Sequence, residues 1–536
     1  MRKLILAAAA AVLAFPAAAQ QPPPPRLLVV ISVDQFSADL FDEYRPQFSG
    51  GLARLAEGTV FHNGYQSHAN TETCPGHSTI LTGDHPARTG IIGNTWIDQS
   101  VQRSDKIIYC AEDPSAPGSS HSHYQVSAVQ LRVPTLGELM KARWPGSRNV
   151  AVAGKDRAAV MMSGHRADQR WFWNGRQFAT DLGAAPPQAI AATNAAVARM
   201  LAAPSPALEP PPFCSQRAQP VAVAGHAPVG GGNFARAAGD GDAFEASPAF
   251  DGAILTAAAG LIREVRLGQG SAPDVLSVGL SATDYVGHYY GTEGQEMCLN
   301  LIELDREIGD FLNFLDGTGV DYAVVLTADH GGQDLPERLR LHGVPDAQRV
   351  DPALAASAVG KAIGAKLGLA GPVLLGDVSG DIYIDRSLSP ADQARALDEA
   401  LRFYRAHPQV AAVFTRDELA RTPVPTTSPD KWSLIERARA SFDPQRSGDF
   451  VVILKEHVTP IGHVTKSVAT HGSPWDYDRR VPILFWRPGF QGATVDIPAD
   501  TVDIMPTLAG LIELPLATGS IDGHCLDGTP AFCPQP

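Results

Sequence analysis

The chain has 536 residues, of which 44% are hydrophobic and 19% charged, a balance that suits a globular protein with a sizeable core. Its net charge of −14 excludes nucleic-acid polymers and polybasic attachment to membranes as expected roles. An anionic substrate would need local cations to draw it in against that field.

Met1-Arg2-Lys3, an apolar run to Phe15 and a small-residue site ending at Ala19 predict a secretory signal peptide over 1–19. That run is too short to span a bilayer, and no later stretch predicts a membrane span. The expectation is therefore an exported protein, periplasmic or secreted, with residues 20–536 forming a single catalytic domain. Gln20 to Pro25 reads as a stiff leader. Leu27–Val33 is a continuous apolar run ending at Asp34, as in a strand buried on both faces. Similar runs recur at Asn149–Ala153, Val275–Leu280, Tyr322–Thr327 and Val481–Trp486. Helical patterns lie between them, over Thr135 to Arg143 and through Leu301, Leu304, Ile308, Phe311, Leu312 and Leu315. The alternation predicts an α/β fold, with a doubly wound, mostly parallel central sheet flanked by helices. Stretches of different composition at about 170–249 and 341–470 are expected to be insertions that cap the sheet. The second should hold helices near Ala353–Leu367 and Ala391–His407, and strands near Asp381–Ile384 and Asp449–Leu454. Trp171-Phe172-Trp173 is expected to pack in the core. Six cysteines in an exported chain suggest disulfides, with Cys525–Cys533 the first pair expected and Cys74–Cys110 a second candidate.

In such sheets ligands gather at the carboxyl ends of the strands, where Asp34, Asp284 and Asp329-His330 fall. A lone histidine is usually a core or surface residue, so paired spacings count for more. Asp284 and His288, four apart, face the same way if their turn is helical and can chelate one cation. Gly331-Gly332 lets the backbone turn sharply after Asp329-His330. With Asp34 and His471 the residues divide into two sets, Asp284, His288 and His471, and Asp34, Asp329 and His330. Three protein ligands and an open position are the pattern of a catalytic metal centre. Mixed carboxylate and imidazole ligation suits two zinc ions, with manganese or cobalt as substitutes. Thr73, just ahead of Pro75 at a predicted helix start, either caps that helix or serves as a metal-activated nucleophile and ligand.

The ordered set Asp34, Thr73-Cys74-Pro75-Gly76-His77, Asp284-(three residues)-His288, Asp329-His330-Gly331 and Thr470-His471-Gly472 resembles the alkaline phosphatase superfamily. It is most similar to the threonine-nucleophile monoesterases of bacteria, such as the Sphingomonas enzyme and its flavobacterial relatives, from Leu27 to Asp503–Thr507. The resemblance implies metal-dependent hydrolysis of phosphate monoesters through a covalent phosphothreonine at Thr73. It also implies substrate contacts from Asn94 and from the Lys155-Asp156-Arg157 pair of cations, at the spacings from Thr73 expected of that branch. Taken alone, Lys-Asp-Arg is usually a solvated loop, but here it follows the run Val150–Ala153 at the active end of the sheet.

Rival readings share the scaffold. In a sulfatase frame Thr73 holds the converted position and His77 the arginine position, with Cys74 one residue out of register. A phosphodiesterase or nucleotide pyrophosphatase shares the threonine and asparagine but lacks the Lys-x-Arg pair. Phosphonoacetate hydrolase shares the threonine and two metals, and nothing singles it out. A non-catalytic metal- or phosphate-binding relative should have lost Thr73 or a ligand, and none is lost. The expected protein is a monomer acting on small-molecule phosphate monoesters.

Overall fold

The computed structural model describes residues 23–517, 519–530 and 533; the signal-peptide expectation at 1–19 lies outside them. Ten strands form the central sheet: β1 (Leu27–Val33), β2 (Thr59–Tyr65), β3 (Asn149–Ala153), β4 (Gln169–Trp173), β5 (Phe178–Ala179), β6 (Asp274–Leu280), β7 (Tyr322–Thr327), β8 (Arg480–Trp486), β9 (Thr494–Val495) and β10 (Ala499–Asp500). Their spatial order is β9-β2-β8-β7-β1-β6-β3-β4-β5, with β10 also beside β2. The run β4-β3-β6-β1-β7 is parallel throughout, while β8 lies antiparallel to both β7 and β2. This is the mostly parallel α/β sheet that the alternating pattern predicts.

The apolar runs are continuous because both faces of the sheet are covered. Leu27, Val29, Ile31 and Val33 enter one core, and Leu28 and Val30 enter the other. Helices α1 (Thr73–Thr82), α2 (Asp156–Ser163) and α6 (Ile504–Leu511) contribute to the second core. Helices α3 (Pro248–Glu264), α4 (Ala282–Tyr290) and α5 (Gln295–Gly317) contribute to the first. Strand β2 gave no apolar signal in the sequence, since Thr59, His62, Asn63 and Gly64 interrupt it. Pairing along β8 holds it in the sheet regardless. Trp171-Phe172-Trp173 belongs to β4 and is buried, the two tryptophans in one core and Phe172 in the other.

After β7 the chain leaves the sheet. Leu374–Leu375, Gly380–Ile384, Phe450–Leu454 and Val410–Thr415 form a separate antiparallel sheet in that order. Helices Ala356–Leu367 and Pro390–Ala406 pack against it around a core of their own. Three disulfides link Cys74 to Cys110, Cys214 to Cys298 and Cys525 to Cys533. Among the described residues no helix is long and apolar enough to cross a membrane.

Candidate active site

The register of three parallel strands brings the acidic residues together. Ser32 pairs with Thr327 and Val33 with Leu280, so Asp34, Asp284 and Asp329 emerge at one sheet edge. Ala153 pairs with Gly279, which delivers Lys155 to the same place. Asp34, Asp284, Asp329, His330 and Lys155 are all buried. Helix α4 puts Asp284 in its first turn and His288 one turn on, with His288 Nε2 3.2 Å from Asp284 Oδ1.

Among the described residues two groups are arranged to hold a cation: Asp34, Asp329 and His330, and Asp284, His330 and His471, in each case with the ligand atoms within 4.8 Å of one another. The first is the set read from the sequence. In the second, His330 stands with Asp284 and His471, and His288 flanks them. The rings of His330 and His471 stack at 3.6 Å, which places His330 on the boundary between the groups.

The tautomers follow from the backbone. Nδ1 of His330, His471 and His288 lies 2.8–2.9 Å from the carbonyl oxygens of Gly331, Thr71 and Ala469 respectively. A carbonyl can only accept, so in each neutral ring Nδ1 donates and Nε2 keeps its lone pair. His330 Nε2 then faces Asp34 Oδ1 and Asp329 Oδ2, each at 3.4 Å. All three atoms are buried; Asp34 Oδ1 and His330 Nε2 form no hydrogen bond within the protein, and Asp329 Oδ2 has only His77 Nδ1 beside it, at 3.0 Å. Three converging lone pairs repel unless a cation lies among them, so this donor set fits a divalent metal.

Electrostatics agree. Burial, then the nearby Asp284 and Asp329, drives the Asp34 carboxyl well above its ordinary value. Burial pushes the His330 imidazole down to about 3, keeping it neutral as a ligand must be. Burial opposes ionisation of Asp284, yet His288 and Lys155 hold that carboxyl well below the usual range. The Lys155 ammonium lies 2.7 Å from Asp34 Oδ2 and 2.5 Å from Asp284 Oδ2, bridging the two groups.

Helix α1 begins at Thr73 itself, one residue earlier than a capping role would require, and its N-cap is Glu72. The Thr73 hydroxyl is buried and stands 3.5 Å from Arg157 Nη2. Arg157 is aimed by its neighbours: Tyr109 OH is 3.4 Å from Nη1 and donates at 2.6 Å to Asp156, which also accepts from Tyr124 OH at 2.9 Å. Asn94 Oδ1 accepts from the Cys74 N–H at 2.8 Å, so its amide is pinned against the first turn of α1. Glu72 Oε2 in turn accepts from the Asn94 N–H at 2.6 Å.

The sequence reading gave no positioning role to two residues that the structure places against the candidate ligands. Gln35, at φ 64°, donates from its backbone N–H to Asp329 Oδ1 and from Nε2 to Asp284 Oδ1, both at 3.2 Å. His77 Nδ1 lies 2.9 Å from the Thr73 carbonyl and 3.0 Å from Asp329 Oδ2, joining the turn of Thr73 to a candidate ligand. His77 was visible as part of the Thr73 motif, whereas nothing about Gln35 marked it.

The family described as type I phosphodiesterase / nucleotide pyrophosphatase matches residues 28–474. Alkaline phosphatase PhoK of Sphingomonas sp is 55% identical over 93% of this chain and 90% of its own length. Alkaline phosphatase PhoD of Zymomonas mobilis is 50% identical over 93% of this chain and 87% of its own. The crystal structure of alkaline phosphatase PafA superposes with a TM-score of 0.80 at 25% identity, covering 92% of this chain and 96% of that one.

Proposed function

The chain belongs to the type I phosphodiesterase / nucleotide pyrophosphatase family of the alkaline phosphatase superfamily, and we propose that it hydrolyses phosphate monoesters through a covalent phosphothreonine. The observation that carries this is the buried Thr73 hydroxyl, 3.5 Å from Arg157 Nη2, on a turn that His77 joins to Asp329 of a carboxylate and imidazole group. Asp34, Asp329 and His330, with Thr73, would hold one ion; Asp284, His288 and His471 would hold the other, His330 lying between them. Zinc is the first choice for both, with manganese or cobalt as substitutes. Such ions, when bound, supply Lewis acidity that lowers the pKa of an adjacent hydroxyl or water.

Thr73 Oγ attacks phosphorus in line, the ester P–O bond breaks, and the alcohol leaves with a proton. Water then cleaves the phosphothreonine, releasing phosphate and restoring the hydroxyl. In-line attack puts the leaving oxygen opposite Thr73, and we assign the Asp284, His288 and His471 group to that side. Because phosphoryl transfer is largely a matter of positioning and charge, the remaining residues act on the phosphoryl oxygens. Arg157 offers two parallel N–H donors. The Asn94 oxygen is committed to Cys74, which leaves its NH2 group to face the substrate. Lys155 adds positive charge between the two ligand groups.

The stretch from about 170, expected to cap the sheet, begins instead as β4 and β5 within it. The chain is read as one catalytic unit with a capping insertion after β7, acting as a monomer after export to the periplasm or medium. Its three disulfides suit such a compartment. The test is kcat/KM for a phosphate monoester and a diester sharing one aryl leaving group, with trapping of the phosphoenzyme. A strong monoester preference and no phosphoenzyme from Thr73→Ala are expected. A diester preference would move the chain to diesterase chemistry, and covalent phosphate on Thr73→Ala would remove Thr73 from its role.

A further inference from the structure

Beside His471 a cavity of about 440 Å³ opens between the loops of Glu72 and His471, the two-stranded pair Thr95–Ile97 and Ile107–Tyr109, and the separate four-stranded sheet. Its walls include Asn70, Glu72, Trp96, Asp377, Asp381 and Tyr383, and none of its lining residues is a lysine or arginine. The three carboxylates are held by backbone donors: Glu72 by Asn94 N–H, Asp377 by Val378 N–H at 2.8 Å and Asp381 by Gly448 N–H at 2.5 Å. None of the three joins an ion pair with a described residue. Arg416 acts on Asp381 through space, but its guanidinium donates to the carbonyls of Pro444 and Ser447. Burial, reinforced by Glu72, lifts Asp381 only to about 6, so it stays ionised at alkaline pH.

Uncompensated negative charge in a half-enclosed space attracts cations and repels anions more strongly than it would in open water. Tyr383 adds an aromatic ring, which also favours ammonium groups, whereas one face of Trp96 already carries the Arg446 guanidinium at 4.6 Å. His471 ties the cavity to the side assigned to the leaving alcohol. We infer that the cavity receives the alcohol half of the substrate and selects monoesters whose alcohol carries an ammonium group, over those bearing a second anion. The inference deepens the monoesterase reading and rests on it.

The experiment uses the zinc-loaded enzyme and four small esters: phosphocholine, O-phosphoethanolamine, ethyl phosphate and phosphoglycolate. At pH 8, kcat/KM should fall from the two ammonium esters to ethyl phosphate and again to phosphoglycolate, by about fivefold at each step. In Asp377→Asn/Asp381→Asn the ratio of ammonium to neutral ester should drop towards one. Asp377→Asn alone should lower it part of the way, should the double variant fail to fold. Asp310→Asn, on the exposed side of α5, should leave the ratio alone. Above about pH 10 the advantage of phosphoethanolamine should fade as its amine loses its proton, while that of phosphocholine persists. Equal kcat/KM for ammonium and neutral esters, or a preference untouched by both cavity variants, would overturn the inference with the monoesterase intact. No turnover of any of the four would instead overturn the monoesterase reading, and this inference with it.

Discussion

Buried carboxylates that face a common cation repel one another, and some other group has to hold them in place. Gln35 does so for Asp329 and Asp284 at once, from a left-handed backbone and an extended side chain. Room for it comes from glycine: a Cβ at Gly287 would come within 1.5 Å of Gln35 Oε1, and one at Gly332 within 2.8 Å of its Cγ. Gln35→Ala should therefore weaken metal binding by about 10–100-fold, as for other partners of metal ligands. Chelator competition measures this, and an unchanged affinity in a folded variant would dismiss the role. Lys155 and Arg157 should part company in the same assay. Arg157→Ala touches none of the carboxylate or imidazole ligands, reaching only the Thr73 hydroxyl, and should cost about 10²–10³ in monoester kcat/KM with metal affinity little changed. Lys155→Ala removes the ammonium bridging Asp34 and Asp284, so metal affinity should change along with turnover. If Lys155→Ala binds metal normally, the lysine serves the substrate alone.

The loop bearing Asn94 has little secondary structure of its own, and it is bolted to helix α1. Cys74 donates its N–H to Asn94 Oδ1, Cys110 donates to the Asn94 carbonyl at 2.9 Å, and the two cysteines are joined covalently. The Cys74–Cys110 bond joins residues 36 positions apart, for which chain entropy alone gives about 2–4 kcal/mol of stability. Cys74→Ser/Cys110→Ser should lower the unfolding free energy by that order and also reduce monoester kcat/KM, since Asn94 loses its anchor. Calorimetry and kinetics on one preparation separate the two effects. A stability loss with kinetics intact would mean that the hydrogen bonds suffice to hold Asn94.

Across the molecule, the segment at Asp522 and Gly523 closes over the far end of α1. Asp522 and Gly523 donate their N–H groups to the Gly83 carbonyl, at 3.0 and 2.9 Å. His85 sits between Asp522 and Asp500, at 3.1 Å from each. Burial opposes its charge, but the two carboxylates lift the imidazole to about 10. A folded pKa above the unfolded value of about 6.5 means this contribution is complete below pH 6.5 and is lost as pH rises through 10. The stability gap between the wild type and His85→Gln, followed by thermal unfolding, should shrink over that window. A gap of the same size at both ends would assign the role of His85 to packing against Trp432 rather than to charge.

Much of the fold was legible because its strands are buried on both faces, which turns position in the sheet into an unbroken apolar run of the kind seen at Leu27–Val33 and Tyr322–Thr327. The candidate ligands were legible for a related reason: Asp284 with His288 and Asp329 with His330 are local pairs, each resting on one turn or one strand end. Strand β2 was not legible, since its membership depends on hydrogen bonds to β8 and not on its own side chains. Nor was the place of His330 between the two ligand groups, the bridging of Asp34 and Asp284 by Lys155, the double grip of Gln35, or the Cys214–Cys298 pair. These depend on residues that are far apart in the chain and meet only through the register of parallel strands. Short spacings reveal which side chains can bind a metal or a phosphoryl group; the long-range pairing of strands decides how those side chains face one another.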